Sequence, residues 1–155
     1  MFVNVLSILC FAIMAAFGDE SYWKSTMVPS YVHQSELQRR WAISCLAPHL
    51  KTLKGNERVL DIGCGDGKIT ADISRFVPQG MVIGIDPSAA MLAWAQKQYH
   101  PAEYPNLRFQ AGEFQNPGLT EPFDLIVSFC ALQHGSDQES ALQNIANYSN
   151  QTGSS

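Results

Sequence analysis

The residues best placed to do chemistry are three glycines at every second position, Gly63, Gly65 and Gly67, with the carboxylates Asp61 and Asp66 among them. They follow the apolar stretch Val59-Leu60-Asp61-Ile62 and lead straight into Lys68. Glycine is needed where backbone turns sharply and a ligand must approach without a Cβ in the way. The Gly-x-Gly-x-Gly spacing is not the Gly-x-Gly-x-x-Gly of dinucleotide binders, and no Gly-Lys-Ser/Thr of a Walker sequence is present. The two carboxylates also argue against an anion. A pyrophosphate prefers helix N-terminal amides free of adjacent negative charge. A ligand carrying an ammonium and a sulfonium suits acids here. A tight strand-to-helix turn with no ligand is the competing explanation.

A further carboxylate, Asp86, closes the run Val82-Ile83-Gly84-Ile85-Asp86, about 20 residues after the last loop glycine, a position and spacing that suit bidentate hydrogen bonding to ribose hydroxyls. Capping of the next helix is its other possible role, with Pro87 and Ser88 placed for a first turn. The remaining polar side chains are weaker signals. His134 could orient an acceptor or act as a base, with an ordinary pKa near neutrality, or be a solvated loop histidine. His33, His49 and His100 read as surface residues. Cys64 is explained by packing better than by nucleophilic chemistry. Trp94 reads as packing, and Tyr22 and Trp23 either line an acceptor pocket or are simply buried.

The elements that must position these residues alternate in type. Ser35 to Leu50 predicts a helix capped by Ser35, with Gln38 three residues on as in a capping box and Leu37, Trp41, Cys45 and Ile43 as its apolar stripe. Strands are expected at Arg58 to Ile62, Met81 to Ile85, Leu107 to Gln110 and Phe123 to Phe129. Helices are expected at Lys68 to Phe76, Ser88 to Gln98 and Asp137 to Tyr148. Continuous apolar strands alternating with helices imply an α/β fold, a Rossmann-like doubly wound parallel sheet covered on both faces. Ligands of such sheets sit at the carboxyl ends of the strands, where Gly63, Asp86, Gly112-Glu113 and Phe129 fall.

Charged residues make up only 15% of the 155-residue chain, against a typical value of roughly 25%. The cause is local: the first charged side chain is Asp19, and Phe2 to Phe17 is apolar apart from Asn4 and Ser7. Residues 1–18 therefore read as a signal-like segment, with small residues at Ala16 and Gly18 for cleavage but no basic n-region. An uncleaved membrane anchor, a packed N-terminal helix and a mis-called start codon are the alternatives. Residues 19–148 form the main domain and 149–155 a polar tail. Ten Lys+Arg against 14 Asp+Glu give a net charge of −4, which argues against a nucleic-acid binder acting through a general basic field. The four cysteines, Cys10, Cys45, Cys64 and Cys130, contain no CxxC pair and no zinc-ligand spacing, so no metal site is expected. Scattered thiols suit a reducing compartment, while the signal-like run suits export; localisation stays open between them.

The loop Val59-Leu60-Asp61-Ile62-Gly63-Cys64-Gly65-Asp66-Gly67, the stretch Gly84-Ile85-Asp86-Pro87-Ser88 followed by Ala89-Ala90-Met91-Leu92, and Phe123-Asp124-Leu125-Ile126-Val127-Ser128 together resemble class I S-adenosylmethionine-dependent methyltransferases. The texture is similar to the small-molecule branch that includes trans-aconitate and juvenile-hormone-acid methyltransferases. That resemblance implies S-adenosyl-L-methionine as cofactor and a small-molecule methyl acceptor. It implies that Gly63, Cys64 and Gly65 line the methionine part through backbone and that Asp61 helps hold its amino group. Asp86 would bind the ribose hydroxyls, with Pro87, Ser88 and Met91 on the adenine side. Gly112, Glu113 and Phe114 match the position of an acidic contact to the adenine amino group, although many members have Asp where Glu113 stands. Phe129, Cys130 and Ala131 would sit beside the methyl donor, and Gln38 would touch the cofactor carboxylate.

Members of that family continue past the last helix with further strands. The chain is therefore expected to be an N-terminal portion of such an enzyme, with strand order 3-2-1-4 and a bare edge on Phe123 to Phe129, through which it could pair with another copy. Two other functions compete: a truncated, non-catalytic interaction protein on the same scaffold, and a dinucleotide oxidoreductase, which lacks its glycine spacing.

Overall fold

The computed structural model describes residues 4–8, 28–113 and 118–129. Among them the chain order is β1 (Asn4–Ile8), α1 (Val28–Leu50), β2 (Arg58–Ile62), α2 (Lys68–Ser74), β3 (Met81–Asp86), α3 (Ala89–Gln98), β4 (Leu107–Ala111) and β5 (Leu125–Phe129). The strands form one sheet of order β1-β5-β2-β3-β4, and every pairing is parallel. Winding runs outward from β2 through β3 to β4 and returns to β5 on the other side of β2. The direction therefore reverses between β2 and β5, and in such sheets the crevice beyond the strand ends opens at that switch point.

Alternation along the strands divides the apolar side chains between two faces. Val59, Val82, Leu125, Val127 and Phe129 join Ala42, Leu46 and Leu50 of α1 and Ala71 and Ile73 of α2 in one core. Leu60, Ile62, Ile83, Ile85 and Ile126 form a second with Phe123. Asp61 shares the Val59 face, and so points toward α2. The start of β5 is tied to β2 by reciprocal bonds. Arg58 N donates to Asp124 Oδ2 at 2.9 Å, and Asp124 N donates to Arg58 O at 2.9 Å. Asn106 Nδ2 donates to the carbonyls of Ser74 and Val77, both at 2.8 Å, satisfying carbonyls that the end of α2 leaves open.

Three expectations are corrected. Helix α1 begins at Val28, seven residues ahead of Ser35, and Pro29 fits because its first turn needs no amide donor. Ser35 is thus interior to the helix and does not cap it. The buried face of α1 carries Ser35, Ala42, Leu46 and Leu50, while Leu37 is 66% exposed and Trp41 40% exposed. The expected stripe of Leu37, Trp41 and Cys45 lies a fraction of a turn away from the core. The expected bare edge is also absent: Asn4–Ile8, from the signal-like run, pairs in register with Leu125–Phe129. Four strands do follow the order 3-2-1-4, but the fourth has a neighbour on each side, so the pairing hazard expected of it does not arise. Among the described residues no helix is long and apolar enough to cross a membrane. The expected helix at Asp137 to Tyr148 lies outside the described residues.

Candidate functional site

The glycine loop leaves β2 at Gly63 and enters α2 at Lys68. Gly63, Gly65 and Gly67 all have left-handed backbone, with φ of 76°, 54° and 82°, a region L side chains avoid. At Gly67 space is also limiting. A Cβ there would stand 2.7 Å from Phe109 Cζ and 3.0 Å from Ala95 Cβ, so this glycine lets the loop, α3 and β4 close on one another.

The loop's amides are already engaged. Gly63 N and Cys64 N donate to Ile85 O at 2.8 and 3.0 Å, and Gly67 N donates to Cys64 O at 3.0 Å. Gly65 N donates to Asp86 Oδ2 at 2.9 Å, and Lys68 N donates to Asp66 Oδ1 at 3.2 Å. A phosphate cradle presents its amides to the ligand. This loop turns five of them inward, which removes the physical basis of the dinucleotide reading.

Carboxylates take the place of donors. Asp86 ends β3, and its oxygens are held from two sides, Oδ2 by the Gly65 amide and Oδ1 by the Ser88 amide at 2.8 Å. A carboxylate has about four acceptor positions, so capacity for two more donors remains. Burial pushes the Asp86 carboxyl up, against the lowering effect of the two amides. Ser88 is the N-cap of α3, its hydroxyl accepting from Met91 N at 3.3 Å. Asp86 therefore braces the turn without being the cap.

Asp61 is 2% exposed and accepts from the Thr70 hydroxyl at 2.7 Å. Burial pushes its carboxyl up to about 7. The Thr70 hydrogen bond opposes this, and the charge of Asp86 adds to it. A buried carboxylate so poorly compensated favours a cationic partner, which is the fit expected for a ligand ammonium. Cys64 is buried, and burial first, then the charges of Asp61 and Asp86, push its thiol well up. It is held as a neutral thiol and packs against Gly84.

A cavity opens beside Asp61 at the switch point. Gly63, Cys64 and Phe129 supply its strand side, and Gln38 of α1 its opposite wall. The geometry thus brings together Gln38, Asp61, Gly63, Cys64 and Phe129, with Gly65 and Asp86 adjoining through the loop. Pro87 and Glu113 are exposed, Gly112 is half-buried and Met91 is buried inside α3. Gly112 N donates to Asp86 O at 3.4 Å, which brings the Glu113 segment to the same strand end. Phe114, Cys130, Ala131, His134, Tyr22 and Trp23 lie outside the described residues. His49 and His100 are exposed.

Other participants escaped the sequence. Arg39 of α1 grips Asp72 of α2 with a two-pronged bond, Nε to Oδ2 at 2.6 Å and Nη2 to Oδ1 at 2.8 Å. Ser35 Oγ donates to Asp66 Oδ2 at 2.6 Å, and Lys68 Nζ donates to Ser35 Oγ at 2.9 Å and to Val32 O. These partners stand more than 30 residues apart, and no local pattern could announce them. Only Lys68, next to the last loop glycine, carried a positional hint.

Residues 53–154 match a family model described as a methyltransferase domain. The trans-aconitate 2-methyltransferase of Deinococcus radiodurans is 47% identical over 76 residues, covering 49% of this chain and 27% of that protein. The juvenile hormone acid O-methyltransferase of Bombyx mori is 32% identical over 125 residues, covering 76% and 44%. Among solved structures, PKMT2 of Rickettsia typhi in complex with AdoHcy superposes with a TM-score of 0.57 at 25% identity, covering 63% of this chain and 20% of that one. The chain thus spans between about a quarter and a half of the length of such relatives. With the parallel sheet, the glycine loop and a family match that spans about two thirds of its length, the chain belongs to the methyltransferase domain family.

Proposed function

We propose that this chain carries the S-adenosylmethionine-binding half of a methyltransferase that acts on a small-molecule acceptor. The observation that carries this is the pair of carboxylates at adjacent strand ends: buried Asp61, calling for a cation, and Asp86, oriented by two amides with acceptor capacity to spare. In this reading Asp61 holds the ligand ammonium and Asp86 receives the ribose hydroxyls. Gly63, Cys64 and Gly65 line the methionine part with carbonyls and Cα atoms, since their amides are engaged. Pro87, Ser88 and Met91 shape the adenine side, Ser88 through backbone because its hydroxyl caps α3. Gly112, Glu113 and Phe114 contact the adenine amino group. Gln38 meets the cofactor carboxylate, and Phe129 and Cys130 flank the donor.

When bound, the cofactor supplies a methyl group already activated on a sulfonium. The chain's own residues then have to orient the ligand and keep water away from it. No group here needs to act as a nucleophile, and the neutral Cys64 thiol is consistent with that. The names of the two curated relatives above include acids, so small carboxylic acids are the first acceptors to assay. A non-catalytic scaffold gives no account of why two carboxylates converge on a glycine loop.

The test is calorimetric titration of S-adenosylhomocysteine into the full chain, with Asp86→Ala and NADH as controls. Saturable binding by the native chain, lost in the variant and absent for NADH, is the expected result. A folded sample that ignores S-adenosylhomocysteine would overturn the proposal.

A further inference from the structure

The polar cluster between α1 and the glycine loop serves neither the apolar core nor a direct ligand contact assigned above. Ser35 is 6% exposed and Asp66 5% exposed. Lys68 Nζ lies 3.5 Å from Asp66 Oδ2 while donating to Ser35 Oγ at 2.9 Å and to Val32 O. A hydroxyl has one proton to give. With the ammonium donating to its oxygen, Ser35 gives that proton to Asp66 at 2.6 Å, a charge-assisted bond. A serine inside a helix ordinarily bonds back to a carbonyl of the preceding turn. Here Ser35 Oγ does lie 3.0 Å from that carbonyl, Val32 O, but Lys68 Nζ also donates to Val32 O, and Asp66 at 2.6 Å is the shorter and charged acceptor. The ammonium thus holds two points on α1, and Asp66 closes the circuit from the loop.

This arrangement is costly as a stabilising device. Buried charges recover their desolvation only with good geometry, and an apolar replacement is often as stable. Helix α1 already has other anchors, namely Ala42, Leu46 and Leu50 in the core and the Arg39–Asp72 fork. What the cluster adds is local. Ser35, Asp66 and Lys68 line the same cavity as Asp61 and Gly63, and Gln38, which also lines it, follows Ser35 by about one helical turn. Asp86 does not line that cavity.

We propose that Ser35, Asp66 and Lys68 form a positioning latch that sets the wall of α1 against the glycine loop and tunes affinity for the amino-acid end of the cofactor, leaving the nucleoside end unaffected. The latch rests on the cofactor reading above. Its three residues are positioning residues, acting through Gln38 and the loop backbone.

The experiment compares two ligands on the full chain: S-adenosylhomocysteine, and 5′-methylthioadenosine, which keeps the nucleoside and thioether but lacks the amino-acid carbons. Ser35→Ala is expected to weaken S-adenosylhomocysteine by about tenfold, the scale of one charge-assisted hydrogen bond, and to leave 5′-methylthioadenosine unchanged. Lys68→Met, which removes the ammonium while keeping an apolar stem, is the second variant and is expected to show the same split. Parallel loss of both ligands would make the cluster merely structural and overturn the proposal, as would unchanged affinity for both. If the native chain binds neither ligand, the cofactor reading itself falls and takes the latch with it. That outcome is distinct from a native chain that binds both while its variants show no split.

Discussion

The glycine loop and helix α1 meet at the same cavity but are held by different means. In the loop, five amides find acceptors within the loop, on Ile85 or on Asp86, so its shape is fixed by backbone and by glycine's access to positive φ. In α1 the helix supplies its own backbone hydrogen bonds, with Val32 O also accepting from Lys68 Nζ. The helix's placement depends on three apolar side chains, the Arg39–Asp72 ion pair and the hydrogen bonds that join Ser35 to Asp66 and Lys68, all with partners far along the chain. The loop should therefore fail all at once when a glycine is changed. The helix should yield by degrees, and its effects should be felt at the cavity before they are felt in stability.

The sharpest break is expected at Gly67. Gly67→Val places a branched side chain at φ 82° against the Phe109 ring, combining strain with overpacking. A loss of about 3 kcal/mol or more is expected, read by urea denaturation. Leu46→Ala in α1 should cost about 2–5 kcal/mol in the same assay. Leu37→Ser, on the exposed side of the same helix, should stay within about 0.5 kcal/mol. Equal losses at Leu37 and Leu46 would refute the burial pattern described for α1.

A pH series probes the loop side of the comparison. The Asp61 carboxyl is held near 7 in the folded chain, well above its ordinary value. Between those two values the folded state binds more protons than the unfolded one, so this group's contribution to stability falls as pH rises through that window. A cationic ligand needs the ionised form. Affinity for S-adenosylhomocysteine should thus rise by roughly 20-fold from pH 5.5 to 7.5, measured by calorimetry, and the rise should vanish in Asp61→Asn. The smallest effect is expected at the far edge of the sheet. Deleting residues 1–18 removes β1 and bares β5, and light scattering should then show more self-association than for the full chain.

Much of the site was legible because its determinants are contiguous. Gly63 to Gly67 sits within one strand-turn-helix unit, and Asp86 within the next. Each follows an apolar strand whose end fixes where the residue must lie. Ser88 was legible as a cap for the same reason. Ser35 was not. A serine followed by Gln38 is a good cap pattern, but the helix began earlier, and the side chain was claimed by Asp66 and Lys68 across more than 30 residues. Leu37 and Trp41 misled because apolarity marks burial only on average. The face of α1 that docks meets a charged loop at one end and an apolar core at the other, so its polar residues belong inside. Likewise the run from Phe2 was apolar enough for a signal segment, and only the parallel pairing with β5 made five of its residues a strand.

The sequence by itself determined the alternating α/β order, the glycine loop and the two carboxylates at strand ends, since each depends on period, turn chemistry and neighbours a few residues away. Tertiary structure decided which side of α1 is buried, which charges find partners there, and what covers the edge of β5. Those outcomes depend on side chains distant in sequence arriving at the same place, where burial and charge pairing are strong enough to override the local pattern.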